Sequence, residues 1–231
     1  MTAQKGLRRL ALDLLFPPRC PLCDAVLGFR PACGACAGQA PLLRRPDGMP
    51  VEQAGHLLTF VEAAYAPYWY EGPVRQAVWR VKYDEREDTA GAMAARMAEQ
   101  LLAASFAPEL ILAVPSSKKE LRSRGYAPPA LLARLLGQAL DAPVRQDVLQ
   151  KPFETRHQRG LGPQERRANL IGAFCVTPRE AVRGRRVLLV DDVLTTGATL
   201  DECAKMLLAA GASQVRAVCI AVTRQEEGKG T

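Results

Sequence analysis

The stretch from residue 186 to residue 201 constrains the fold of this chain more than any other. Its apolar run, Val187 to Val190, is uninterrupted, as is typical of a parallel strand buried on both faces. Small residues then lead into a helical pattern, which Gly211 is placed to end. The order strand, tight turn and helix predicts an α/β unit.

The turn between this predicted strand and helix has the composition of a phosphate site. It consists of Thr195, Thr196, Gly197, Ala198 and Thr199. Gly and Ala let the backbone approach an anion closely. The first N–H groups of a helix have no partner within the helix, and threonine hydroxyls can add hydrogen bonds. We therefore expect a phosphate group in this turn.

Two carboxylates, Asp191 and Asp192, stand at the predicted end of the strand. A carboxylate only accepts hydrogen bonds, so it suits the vicinal hydroxyls of a sugar better than it suits a phosphate. The pair therefore predicts a phosphosugar with its phosphate in the turn and its ribose hydroxyls on the two acids. The alternative is an ordinary βα turn, which explains the apolar strand but not two acids followed by Thr-Thr-Gly.

A second candidate anion site follows the predicted strand Leu110 to Val114. It consists of Ser116, Ser117, Lys118 and Lys119, which offer hydroxyls and two cations. The alternative interpretation is a basic surface loop. From about residue 57 strands alternate with helices, which predicts an α/β domain with a mainly parallel sheet flanked by helices. Ligands bind at the carboxyl ends of such strands, so we expect both turns to face one ligand.

Four N-terminal cysteines form two C-x-x-C pairs, Cys20 with Cys23 and Cys33 with Cys36. This spacing predicts a structural, tetrahedral Zn²⁺ site. A segment this small has almost no core, so metal binding would supply most of its folding free energy. We expect residues 1–50 to form an N-terminal helix and this zinc module, and residues 51–231 to form the α/β domain. The Pro- and Gly-rich segment 41–56 is the expected linker.

The charge and the apolar pattern of the chain limit its partners and location. Lys and Arg number 31 against 24 Asp and Glu, a net charge of +7, which favours anionic partners without choosing among them. The sequence has no secretory signal pattern and no long uncharged apolar run, so we expect no membrane span and a cytoplasmic protein. Residues 6–16 predict a short amphipathic helix, and the basic, polar segment 151–169 predicts a lid over a site.

Local patterns predict the remaining elements. A helix should begin at Gly72-Pro73 and a second helix should be capped by Thr89 and run through Ala104. Two prolines should open a helix that continues over 130–140. Strands are expected within 57–70, at 171–176 and at 215–222.

Two resemblances extend these expectations. Residues 187–199 resemble the phosphoribosyl pyrophosphate (PRPP) loop of type I phosphoribosyltransferases. Nearly the full chain resembles the ComF family of phosphoribosyltransferase-like competence proteins. That wider resemblance rests on residues 13–23, the second cysteine pair, residues 72–75 with Lys82-Tyr83, residues 121–126, residues 165–170 and the PRPP loop.

The resemblance implies a small zinc-ribbon-like module ahead of a type I phosphoribosyltransferase-like domain. It also implies a link to natural transformation, with single-stranded DNA and DNA-uptake or recombination proteins as partners. Two positions depart from the family pattern. The family usually has a His shortly after the Val-Pro, where this chain has Ser116-Ser117, and it has Asn-Gln where this chain has Ala127-Pro128.

The family site can be carried onto this sequence residue by residue. Asp191 and Asp192 would hold the ribose hydroxyls of PRPP, the 195–199 turn its 5′-phosphate, and residues 116–119 its pyrophosphate. Mg²⁺ would bridge pyrophosphate and ribose oxygens. Two interpretations stay open. One is a phosphoribosyltransferase in which an unidentified acceptor displaces pyrophosphate. The other is a catalytically inactive fold that binds nucleic acid or senses nucleotides.

Overall fold

The computed structural model describes residues 17–28, 33–36, 38–53, 56–152 and 170–224. The predicted helix 6–16 and all but the first two residues of the predicted lid 151–169 lie outside the described residues. The helices are α1 Ala40–Leu43, α2 Gly72–Tyr83, α3 Glu87–Ala103, α4 Lys118–Arg124, α5 Pro128–Leu140 and α6 Ala198–Ala209. The strands are β1 Ala63–Tyr65, β2 Tyr68–Trp69, β3 Leu110–Ala113, β4 Val144–Arg145, β5 Leu149–Gln150, β6 Cys175–Val176, β7 Arg186–Val190, β8 Val193–Leu194, β9 Gln214–Val218 and β10 Ala221–Val222.

The central sheet is parallel and has the strand order β1-β9-β7-β3-β4. A smaller parallel sheet, β2-β10-β8, continues three of these strands toward their carboxyl ends. Strands β5 and β6 pair antiparallel beside it. After β3 the chain moves outward to β4, whereas after β7 it moves the other way to β9. The crevice between β3 and β7 is therefore the point at which the strand order reverses, where open α/β sheets bind ligands.

Alternating residues of the central strands bury both faces of the sheet. Ile111 and Leu188 pack with α2, α3 and α5 on one face. Leu112 and Leu189 pack with α6 on the other face. All four side chains are fully buried, which explains why the strand sequences are continuously apolar rather than alternating.

Several predicted elements are confirmed. The mainly parallel sheet, the helix that begins at Gly72 and the helix opened by the two prolines are present as expected. The strand at 186–190 and the helix after Gly197 are also present. No helix among the described residues is long and apolar enough to cross a membrane.

Other predictions are wrong in detail. Thr89 does not cap a helix, because α3 begins earlier, at Glu87, and Thr89 is buried within its first turns. Residues 57–62 are not a strand, and the predicted strands 171–176 and 215–222 shrink to β6 and divide into β9 and β10. The predicted loop after Ser117 is the helix α4.

Candidate functional site

The two predicted ligand turns lie at the carboxyl ends of neighbouring strands. Val114, at the end of β3, donates its N–H to the carbonyl of Val190, at the end of β7, over 2.9 Å. Asp191 and Asp192 directly follow β7, and the 116–119 turn directly follows β3. The expectation that these turns share one edge of the sheet is confirmed, and they flank the crevice where the strand order reverses.

The acid pair is held at close range within the protein. The Asp192 N–H donates to Asp191 Oδ1 over 2.8 Å, and Asp192 is only 8% exposed. Burial, followed by the negative charge of Asp192, raises the pKa of Asp191 to about 8. Two carboxyl groups this close cannot both ionise freely. Near neutral pH the buried pair therefore resists carrying two negative charges in the unliganded protein.

Lys82, from α2, supplies the counterion of this pair. Its Nζ lies 2.8 Å from Asp192 Oδ1. Burial alone would lower the pKa of Lys82, but the charge and hydrogen bond of Asp192 outweigh it and the net pKa is raised. In the sequence, Lys82 belongs to a motif that resembles the ComF family, but no local pattern predicts a role for it in the site. The available sequence signal for this role was the position of a lysine at the edge of the buried apolar stripe of α2.

The turn at 195–199 has the backbone form expected of a phosphate cradle. Gly197 has φ +84°, in the left-handed region, and it is the residue before α6. A Cβ there would lie 2.9 Å from Leu58 Cδ2 and 3.1 Å from the Leu57 carbonyl oxygen. Gly197 offers no side-chain cap to α6, so the first N–H groups of that helix face the turn. Glycine is required here by both conformation and space.

The segment before β1 is hydrogen-bonded to this turn and to the helix that follows it. The Leu57 N–H donates to the Thr196 carbonyl over 2.6 Å. The Phe60 N–H donates to Asp201 Oδ1, also over 2.6 Å, and Asp201 is 4% exposed in the first turn of α6. Residues 57–60 therefore hold the loop and the start of α6 through two backbone N–H hydrogen bonds instead of forming the predicted strand.

The turn after β3 combines a helix cap with exposed cations. The Ser117 hydroxyl donates to Glu120 Oε2 over 2.8 Å and accepts from the Glu120 N–H over 3.2 Å. This reciprocal capping box starts α4. Ser116 is half-buried, whereas Lys118 and Lys119 are exposed in the first turn of α4. The Ser117 hydroxyl is thus engaged within the protein, while the two ammonium groups face outward.

The four predicted zinc ligands converge on one point. Their sulfur atoms all lie within 4.8 Å of one another, with Sγ–Sγ distances of 3.9 Å for Cys20 and Cys36 and 3.4 Å for Cys23 and Cys33. A tetrahedral Zn²⁺ with Zn–S bonds of about 2.3 Å holds its sulfurs about 3.8 Å apart. The cluster therefore fits zinc. Burial raises the pKa of Cys36, so zinc binding there would displace a proton.

This cluster packs against the domain that carries the acid pair. Arg80 of α2 donates to the Leu22 carbonyl over 2.5 Å and to the Pro21 carbonyl over 3.4 Å. Both carbonyls lie within the first C-x-x-C turn. Arg86 also pairs with Asp24 at 3.0 Å. Helix α2 thus contacts the cysteine cluster through Arg80 and the acid pair through Lys82.

The parallel sheet, the acid pair at its carboxyl edge and the small-residue turn before α6 define a type I phosphoribosyltransferase fold with an N-terminal four-cysteine cluster. The family profile described as "Phosphoribosyl transferase domain" matches residues 121–230. The "allosteric regulatory enzyme of purine biosynthesis" is a similar solved structure, with a TM-score of 0.40 and 20% identity over 61% of this chain and 30% of that one.

Similar proteins indicate to which family within this class the chain belongs. "DNA utilization protein YhgH" of Salmonella typhimurium is 30% identical over 67% of this chain and 69% of that protein. The same protein of Escherichia coli O157:H7 is 29% identical over 88% and 84%. "Competence protein F" of Haemophilus influenzae is 38% identical over 47% of this chain and 48% of that protein. The chain belongs to the ComF family.

Proposed function

We propose that this protein binds PRPP, or a related phosphoribosyl ligand, at the carboxyl edge of β3 and β7. The observation that supports this most directly is the meeting of two different kinds of subsite at one strand end. Asp191 and Asp192 offer acceptors for ribose hydroxyls. The turn at 195–199 offers helix N–H groups and hydroxyls for a 5′-phosphate.

The pyrophosphate of PRPP would lie on the β3 side of the crevice. Lys118 and Lys119 bring two exposed cations to that side, and Lys82 brings a third from α2. When ribose hydroxyls donate to Asp192, the Lys82 ammonium no longer needs that carboxylate as its only partner. It can then face the pyrophosphate. Lys82 therefore would act as a counterion to the acid pair before binding and to the leaving group after it.

Magnesium fits this donor set because carboxylate oxygens and substrate phosphates are the ligands it prefers. When bound with PRPP, the ion would offset charge on the pyrophosphate. Asp191 and Asp192 would orient the ribose and stabilise positive charge that develops at the anomeric carbon. In the transfer reaction, a nitrogen of the acceptor bonds to that carbon, and the carbon–oxygen bond breaks. Pyrophosphate leaves with the electron pair and the acceptor loses a proton.

Calorimetric titration of the zinc-loaded protein with PRPP and Mg²⁺ tests the site. Saturable binding is expected for the wild type and should be lost in an Asp191→Asn, Asp192→Asn double variant whose zinc content is unchanged. Asp147→Asn, which alters an exposed acid paired with Arg145 of the edge strand β4, is the matched control and should bind normally. Retained affinity in the double variant would disprove the assignment.

Whether the bound ligand reacts is a separate measurement. A screen of purine and pyrimidine bases for base-dependent pyrophosphate release would establish a transferase. Binding without release for every base would favour the second candidate, a phosphoribosyl-binding module without catalysis. The departures at Ser116-Ser117 and Ala127-Pro128 favour that second candidate, as does the engagement of the Ser117 hydroxyl in the helix cap.

We further propose that the protein takes part in the handling of incoming single-stranded DNA during natural transformation. The relatives are named for competence and for DNA utilization, and the net charge of +7 suits a polyanion. Binding to a single-stranded oligonucleotide should weaken steeply as salt rises, because phosphate contacts release counterions. Binding that is absent at low salt would disprove this part of the proposal.

A further inference from the structure

The outer face of α2 exposes two aromatic side chains. Trp79 is 55% exposed and Tyr83 is 46% exposed. Among the described residues these are the two aromatics with large exposed surfaces. They stand four residues apart on one helix face, and their ring centroids are 5.4 Å apart with the planes tilted by 38°. They therefore form one aromatic surface rather than two scattered side chains.

Arginines flank this aromatic surface at both ends. The Arg124 guanidinium of α4 lies 5.0 Å from the centroid of the Tyr83 ring. Arg75, one turn before Trp79, lies 5.6 Å from the centroid of the Tyr70 ring. We name these five residues the α2 aromatic face. Arg75, Trp79 and Tyr83 lie on α2, and each arginine of the set lies over an aromatic ring, Arg75 over Tyr70 and Arg124 over Tyr83.

The core of the protein does not account for these side chains. The inner stripe of α2 is already fully buried through Val74, Ala77, Val78 and Val81. Trp69, by contrast, is contacted by two guanidinium groups, those of Arg45 and Arg224, which lie 5.1 and 4.4 Å from its ring centroid. Among the described residues no cation lies over the Trp79 ring, and the residue is 55% exposed.

We propose that the α2 aromatic face binds the bases of single-stranded DNA. This inference rests on the DNA-handling part of the proposed function and assigns it a surface. Bases of any sequence stack on exposed aromatic rings, and arginine adds cation–π and phosphate contacts. From Arg75 to Tyr83 the helix advances about 12 Å, the length of roughly three to four stacked nucleotides at ~3.4 Å each.

Nearby charged side chains would orient the bound DNA strand on this face. Asp84 and Glu85, both exposed, directly follow Tyr83 and would repel phosphates at that end of the helix. Lys118, Lys119 and Arg122 are exposed on α4, the same helix that carries Arg124. The sugar–phosphate backbone would therefore run along α4 while the bases lie against α2.

The α2 aromatic face borders the phosphoribosyl site. Lys82 lies between Trp79 and Tyr83 in sequence and points instead to Asp192. Tyr70 donates its N–H to the Val222 carbonyl at the end of β10, and β10 pairs with β8, which ends directly before Thr195. A DNA strand bound to α2 would thus pass along the rim of the crevice without contacting the acid pair.

The two tryptophans of the chain allow a direct test with the full-length, zinc-loaded protein. In a Trp69→Phe variant, Trp79 is the sole tryptophan reporter. A dT oligonucleotide should quench its emission saturably, with the same midpoint as the anisotropy change of a labelled dT oligonucleotide. Binding by anisotropy without any change in Trp79 emission would overturn the proposal without relying on a disruptive substitution.

Removal of the rings should then weaken binding. Stacking contributes about 1–3 kcal/mol per base, so Trp79→Ala with Tyr83→Ala should weaken dT affinity at least ~20-fold. PRPP affinity should be unchanged. Leu102→Ala, an exposed apolar position on α3, is the matched control and should bind dT normally.

The outcomes separate this inference from the proposed function. If the wild type binds no dT oligonucleotide, the DNA-handling proposal fails and this inference with it. If the wild type binds and the double alanine variant binds equally well, only the α2 aromatic face is overturned. Arg124→Gln should lower the slope of log affinity against log salt by about one, and an unchanged slope would contradict the orientation given to the strand.

Discussion

The Asp191→Asn substitution should stabilise the folded protein at pH 8 while it abolishes phosphoribosyl binding. Burial and then the charge of Asp192 raise the pKa of Asp191 from its ordinary value of 3.8 to about 8. Between those pH values the folded state keeps a proton that the unfolded chain has released. The contribution of Asp191 to the free energy of unfolding is therefore fully present below the ordinary pKa of 3.8. It is lost as the pH rises through the folded-state pKa of about 8.

The size of the effect follows from the same two values. The free energy of unfolding of the wild type should fall by up to about 1.4 kcal/mol per pH unit relative to the variant across that window. The accumulated difference near pH 8 is on the order of 5 kcal/mol, and each kcal/mol corresponds to roughly 2–4 °C in Tm for a chain of this size. Asparagine keeps an oxygen for the Asp192 N–H, which now donates over 2.8 Å, so the substitution removes charge and little else.

Urea denaturation of both proteins at several pH values between about 5 and 9 measures this difference. The two proteins differ only at Asp191, so the difference curve reports the proton linkage of the coupled acid pair to which it belongs. Asp147→Asn is the control, because the hydrogen bond from Arg145 lowers the pKa of Asp147 to about 2 and its linkage acts only at acid pH. A flat difference curve for Asp191→Asn, or a variant less stable than the wild type at pH 8, would refute this account of the acid pair.

Three further predictions test other parts of the site. Lys82→Met should lower the free energy of unfolding by about 1–3 kcal/mol at pH 7, because it leaves Asp192 buried without its counterion. Urea denaturation measures this, and an unchanged free energy of unfolding would mean that the ion pair is dispensable. Gly197→Ala should cost about 1–2 kcal/mol for its left-handed backbone and weaken PRPP binding, whereas Gly91→Ala in open space on α3 should be neutral or stabilising. Arg80→Gln should speed zinc release to a colorimetric chelator, because Arg80 holds the first cysteine turn through the Leu22 carbonyl. Arg134→Gln, which alters an arginine of α5 with a 45% exposed side chain, should release zinc at the wild-type rate.

The parts of the site that the sequence predicts well are local in the chain. Strand β7, the two acids, the turn at 195–199 and α6 follow one another directly, so periodicity and turn composition specify them together. The cysteine spacing is local in the same sense. Each C-x-x-C turn aims two sulfurs at one point, and the structure brings all four within 4.8 Å.

The parts that sequence patterns do not specify depend on tertiary contacts. Lys82 meets Asp192 only because α2 packs across the end of β7. Residues 57–60 look like a strand, yet two of their backbone N–H groups are hydrogen-bonded to the Thr196 carbonyl and to Asp201, which are far away in the sequence. The helix α4 is a different case, since Ser117 and Glu120 have the spacing of a capping box. That local signal was present, but the lysines between them favoured an anion-binding loop.

Helix α2 contacts both the four-cysteine cluster and the acid pair and also carries the exposed rings, because its successive residues point in different directions. Trp79 and Tyr83 face outward, Arg80 reaches the carbonyls of the first cysteine turn, and Lys82 reaches Asp192. Consecutive helical side chains differ in direction by about 100°, so a small rotation of α2 would move all of these contacts together. The Arg80 contact therefore links the four-cysteine cluster to the same helix that carries the counterion of the acid pair and the exposed rings.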